Sequence, residues 1–123
     1  MAKVMIVDDA KIMRVTLKML LEKLGHEVIA EAANGHEALD KLKRLNPEVI
    51  TMDITMPEVN GIGDGIDTVK HIRQTNKEVK IIMITSHGEQ KKVIDAIKSG
   101  ATSYALKPIE ESKLDEIIKK VLG

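Results

Sequence analysis

The sequence predicts an α/β fold, one parallel sheet with helices on both faces, and three observations carry that expectation. Short apolar runs rich in Val and Ile alternate five times with stretches whose apolar residues recur at three- and four-residue steps. At 123 residues the chain is sized for a single unit, residues 1–123, with one core. Hydrophobic residues make up 43% of it but aromatics only 1%, a lone Tyr104 with no Phe or Trp, so the core must be built from Ile, Val, Leu, Met and Ala.

Lys3 to Val7 is an apolar run closed by Asp8 and Asp9 and reads as a strand buried on both faces. From Ala10 to Leu24, Met13, Leu17, Leu20, Leu21 and Leu24 trace a helical stripe, and Gly25 stands where a C-terminal cap belongs. His26 to Ala33 is a second strand. Asn34-Gly35 then turns the chain into a helix expected to run to Leu45, ended by Asn46-Pro47. Val49 to Asp53 is the third strand, and after a glycine-containing loop a helix spans about Ile66 to Gln74. Glu78 to Thr85 holds the fourth strand, Glu89 to Lys98 the fourth helix with Ser99-Gly100 as its stop, Ser103 to Leu106 the fifth strand, and Glu111 to Leu122 the last helix.

Composition excludes several functions. One tyrosine cannot supply the ring platforms on which flavins, single-stranded nucleic acids or methyl-ammonium groups stack. Nineteen basic and nineteen acidic residues leave no net field to gather nucleic acid or anionic membrane. The absence of cysteine removes disulfides, thiolate metal sites and cysteine nucleophiles. The apolar run at the N-terminus is too short for a signal-peptide core or a membrane span, so a cytoplasmic protein is expected.

Parallel sheets place their sites at the carboxyl ends of the strands. Asp8 and Asp9 end the first predicted strand, Asp53 the third and Thr85 the fourth, and Lys107 follows the fifth. Carboxylates brought together repel and raise a pKa unless they share a cation, and hard oxygen ligands suit magnesium. A lysine and a hydroxyl with loop N–H groups suit phosphoryl oxygens, which makes Asp53 the candidate nucleophile that accepts them. Taken singly, each residue has a plain reading: a cap or turn aspartate, a β-forming threonine, a solvated lysine. Their joint placement at the ends of four predicted strands favours a site.

The combination resembles the receiver domain of two-component response regulators, the stand-alone chemotaxis type above all. The resemblance spans essentially the whole chain and is carried by Val7-Asp8-Asp9, Asp53-Ile54-Thr55-Met56-Pro57, Thr85-Ser86 and Lys107-Pro108. It implies a flavodoxin-like doubly wound (βα)5 fold with strand order 2-1-3-4-5. It also implies that Asp53 is the phosphoacceptor, that Asp8, Asp9, Asp53 and the Thr55 carbonyl hold Mg2+, and that Thr85 and Lys107 contact the phosphoryl group across a cis Lys107-Pro108 bond. The expected phosphodonor is a sensor histidine kinase or a small acyl phosphate, with the receiver contributing to its own phosphorylation and autodephosphorylation. Thr85 and Tyr104 are the implied switch pair, remodelling the surface of the fourth helix, fifth strand and fifth helix for a partner such as a motor switch or adaptor protein. Without the resemblance, Tyr104 would be a half-buried strand aromatic. Thr55 and His87 are the implied rate-tuning positions, whereas His26, His36 and His71 read as surface or filler.

The sequence departs from the family pattern after Met56-Pro57, where Asn60-Gly61 continues through Ile62-Gly63-Asp64-Gly65. These look like about four extra residues, expected to form a flexible extension or one more helical turn with Ile62 above Ile66. The glycines lack the remainder of any phosphate-loop fingerprint. Three other readings compete. A flavin-binding relative of the fold would set Asp8-Asp9 against a phosphate, and a haloacid-dehalogenase-type phosphatase expects its nucleophile after the first strand in a D-x-D arrangement. A receiver-fold module that binds partners without phosphorylation is the third. No output domain is expected after the last helix, unless the chain is the receiver of a larger regulator; a monomer is expected, with dimerisation on phosphorylation left open.

Overall fold

Apolar runs and helical stripes become ten elements in the computed structural model, which describes residues 1–86 and 88–123. In chain order they are β1 (Lys3–Val7), α1 (Lys11–Lys23), β2 (Glu27–Ala32), α2 (Gly35–Leu42), β3 (Val49–Asp53), α3 (Gly65–Thr75), β4 (Lys80–Thr85), α4 (Gln90–Ser99), β5 (Ser103–Leu106) and α5 (Glu111–Leu122). The strands form one sheet in the order β2-β1-β3-β4-β5, and every pairing is parallel. The expected α/β doubly wound architecture is therefore the observed one.

Because strand side chains alternate between faces, each strand feeds two cores. Met5, Val7, Ile50, Met52, Ile81 and Met83 meet α2, α3 and α4 on one side. Val4, Ile6, Val49, Ile82, Ile84 and Ala105 meet α1 and α5 through Leu17, Leu21, Leu114, Ile117 and Ile118 on the other. None of these core residues carries a ring, as the composition requires. Both faces of β1, β3 and β4 are thereby dry, which leaves only the strand ends for polar chemistry. Among the described residues, no helix is long and apolar enough to cross a membrane.

Two local differences from the sequence expectation have physical causes. Helix α2 stops at Leu42 rather than Leu45 because its last turn tightens: the Lys43 and Arg44 amides reach carbonyls three residues back, at Asp40 and Lys41. The extra residues after β3 form neither a loose extension nor a helical turn. Val59 and Ile62 exchange backbone hydrogen bonds of 3.0 Å in both directions across Asn60 and Gly61, whose φ values are 51° and 81°. Consecutive left-handed residues of the Asn-Gly type make a two-residue hairpin turn. Asp64 then caps α3, its side chain accepting from the Asp67 amide at 3.0 Å while Asp67 accepts from the Gly63 amide at 2.8 Å.

Candidate functional site

Strand β1 ends by turning Asp8 inward at 1% exposure while Asp9 points to solvent. Asp8 is fixed from two sides: its Oδ1 accepts from the Ala10 amide at 2.8 Å, and its carbonyl accepts from Arg14 Nη1 at 2.7 Å. Arg14 is itself held by Glu31 on β2 at 3.5 Å. Strand β3, one position over in the sheet, delivers Asp53 at 6% exposure. Behind it the chain is pressed close. A Cβ on Gly65 would stand 2.0 Å from the Asp53 carbonyl oxygen, and the Gly65 amide donates to the Ile54 carbonyl at 2.7 Å.

Lys107 reaches this pair from beyond β5. Its amide donates to the Thr85 carbonyl at 2.7 Å, which extends the β4–β5 ladder by one bond, and the following Lys107-Pro108 peptide is cis. The ammonium stands 3.2 Å from Asp53 Oδ1 and 3.5 Å from Asp8 Oδ2. Burial alone would lower the lysine pKa, but the charges of Asp53 and Asp8 more than offset that and hold it above its ordinary value. Burial, with the Asp8 charge, pushes Asp53 up to about 6 against the opposing pull of Lys107. A single lysine therefore does not neutralise the cluster.

That deficit is where a cation fits. Asp8, Asp9 and Asp53 each offer a carboxylate oxygen, all within 4.8 Å of one another. Asp8 Oδ2 is fully buried and has no hydrogen-bond partner. A buried anionic oxygen met only by Lys107 at 3.5 Å, beside a second half-compensated carboxylate, suits a hard divalent ion that retains some of its water.

Thr85 is fully buried at the end of β4 and Thr55 lies exposed on the loop after β3. Both hydroxyls are turned onto one side chain that the sequence reading missed, Glu89. Its Oε1 accepts from Thr85 Oγ1 at 3.2 Å and from the Ser86 amide at 2.9 Å, and its Oε2 accepts from Thr55 Oγ1 at 2.7 Å. Burial would raise the Glu89 pKa, but these bonds and the neighbouring Lys92 hold it below the ordinary value, as a carboxylate. The pattern Ser86-x-x-Glu89, a capping-box signature ahead of a helix, could have drawn attention to it.

The structure thus brings together Asp8, Asp9, Asp53 and Lys107, with Thr85 and Thr55 on the adjoining strand end and loop. Tyr104 stands apart. It is 48% exposed on β5 and lines a groove with Val93, Ile94, Ile97 and Leu106. His87 lies outside the described residues. The other histidines each have a bond: His26 Nδ1 accepts from the Ala2 amide at 3.0 Å, His36 meets Asn60 at 3.2 Å, and His71 meets the Asp67 carbonyl at 2.9 Å.

The sequence profile of the response regulator receiver domain matches residues 4–119. The chain belongs to that family. Among its relatives, the chemotaxis protein CheY of Thermotoga maritima is 47% identical, over 97% of this chain and 96% of that protein. CheY of Bacillus subtilis is 45% identical, over 98% of each chain. A response regulator receiver domain protein from Clostridium thermocellum has a solved structure that superposes with a TM-score of 0.87 at 29% identity, covering 99% of this chain and 94% of that one. Receivers are phosphorylation-controlled switches of two-component signalling, so the strand-end cluster is the part of this receiver on which its function must be argued.

Proposed function

We propose that this receiver accepts a phosphoryl group on Asp53 from a sensor histidine kinase, or from a small acyl phosphate, and signals by changing the surface that a downstream protein reads. The observation that carries the reading is the convergence on Asp53 of one cation, Lys107, and two further carboxylates that together ask for a second cation. Asp53 Oδ attacks phosphorus, the P–N bond of the phosphohistidine breaks, and the imidazole leaves with the electron pair. Lys107, already 3.2 Å from Asp53 Oδ1, supplies a positive charge to the transferred oxygens. Asp8, Asp9, Asp53 and the Thr55 carbonyl would hold Mg2+. When bound, the ion neutralises charge on donor and acceptor oxygens. Thr85, at the end of β4, donates its hydroxyl to the phosphoryl group and carries the news to β5.

Thr55 and His87, the rate-tuning positions that the family resemblance implies, set the lifetime of the acyl phosphate. Chemotaxis is the pathway favoured by the CheY relatives. Incubation with radiolabelled acetyl phosphate and Mg2+ tests the proposal. Label should enter the native chain and be lost with Asp53→Asn, while Asp8→Asn should slow incorporation. Label that survives Asp53→Asn would refute the assignment.

A further inference from the structure

A receiver that places a phosphoryl group on Asp53 needs free donors to hold its oxygens, and here those donors are already engaged. Thr85 Oγ1 and the Ser86 amide both point at Glu89 Oε1, while Thr55 Oγ1 bonds Oε2. The Ser86 contact is local, since Glu89 lies three residues on and its own amide donates to the Ser86 carbonyl at 3.3 Å. That proximity does not account for the two threonine hydroxyls, which come from β4 and from the loop after β3. The Glu89 side chain is 17% exposed and tied to both loops at once. A carboxylate with three donors is the resting counterpart of an oxyanion with the same donors.

We infer that Glu89 is a resident anion of the resting site, occupying the donors Thr85, Ser86 and Thr55, and that it must withdraw before a phosphoryl group on Asp53 can use them. This rests on the reading of Asp53 as phosphoacceptor. Glu89 is thereby a positioning residue that sets how readily the site is charged. It also stands at the N-cap of α4. Its side chain makes no cap bond to the helix, so its withdrawal breaks the ties that the head of α4 has to the end of β4 and to the loop after β3.

Beryllofluoride, an anionic mimic of the phosphoryl group, tests this in the full chain with Mg2+ present. Glu89→Ala should bind beryllofluoride about tenfold more tightly than the native chain and take up label from acetyl phosphate faster, the scale of one or two charge-assisted hydrogen bonds no longer broken. Glu89→Gln, which keeps the shape without the charge, should fall between. The Ser86 amide resonance in the free Glu89→Ala protein should also move away from its native position, as it does when beryllofluoride binds the native chain. Glu58→Gln removes a negative charge from the loop after β3 while leaving the three donors to Glu89 and serves as the charge control.

Unchanged affinity in both Glu89 variants, or an equal gain in Glu58→Gln, would overturn the inference. A role confined to tying β4 to the loop after β3 would overturn it too, lowering the melting temperature while leaving affinity alone. If Glu89→Ala does not fold, Glu89→Gln decides by the same measurements. Failure of the native chain to take up label at Asp53 would sink the phosphoacceptor reading instead, and that outcome is seen before any Glu89 variant is compared.

Discussion

Asp53 illustrates how one side chain can be kept in readiness against the interest of the fold. Its carboxyl titrates at about 6 instead of 3.8 because burial and Asp8 resist its ionisation more than Lys107 favours it. A carboxyl whose folded pKa is raised costs nothing below its unfolded value, where both states are protonated. The cost grows as pH rises through the interval and is complete above about 6. Asp53→Asn should accordingly stabilise the metal-free protein at pH 7.5 by about 1–3 kcal/mol, the upper figure being the full shift and the lower allowing for the weakened Lys107 pairing. Urea denaturation with a chelator present measures it, and the advantage should shrink by pH 4.5. A variant less stable at pH 7.5, or an advantage that widens on acidification, would show that burial is not what raises Asp53.

Elements set the position of that residue to within a few tenths of an ångström. The start of α3 is packed so tightly behind β3 that Gly65 leaves no room for a Cβ against the Asp53 carbonyl. Gly65→Ala must therefore push the end of β3 or the first turn of α3 away. A loss of about 2–4 kcal/mol is expected for overpacking against backbone, together with a slower phosphorylation rate at Asp53. Equal phosphorylation rates in the variant and the native chain would mean that the acceptor tolerates such displacement. Element boundaries were legible in the sequence wherever a Val/Ile run met an acid or a helical stripe met Gly or Pro. The hairpin at Asn60-Gly61 is marked by a two-residue turn signal, but the four-residue spacing of Ile62 and Ile66 equally suits a helix, and only the fold decides between them. The premature end of α2 depended on a tightened turn, and composition carries no mark of that.

At the scale of the whole molecule, the acidic cluster and the apolar surface around Tyr104 lie on different parts of one sheet, joined by β4 and β5. Tyr104 pairs in register with Met83 and sits beside exposed Ile94 and Ile97 of α4, so its ring is part of an apolar surface and no part of the acidic cluster. Tyr104→Ala should leave the rate of phosphorylation at Asp53 unchanged while weakening phosphorylation-dependent partner binding by about tenfold, the scale of a single tyrosine anchor. Equal losses in both measurements would place Tyr104 in the transfer step instead. The residues Asp8, Asp9, Asp53, Thr85 and Lys107 were readable beforehand because parallel topology forces strand ends together. Glu89 was not, since its importance lies in which donors it reaches across two loops, a matter of three-dimensional approach that Ser86-x-x-Glu89 only hints at.

The ammonium of Lys107 and the carboxylate of Asp53 meet at 3.2 Å although 54 positions separate them along the chain. No fragment ending before β5 contains both, and none beginning beyond Asp8 contains the second carboxylate that Lys107 meets. A chain made only as far as α4 carries Asp53 without the Lys107 ammonium. The proposed acceptor thus gains its cation only once the chain has been made through β5 and Lys107.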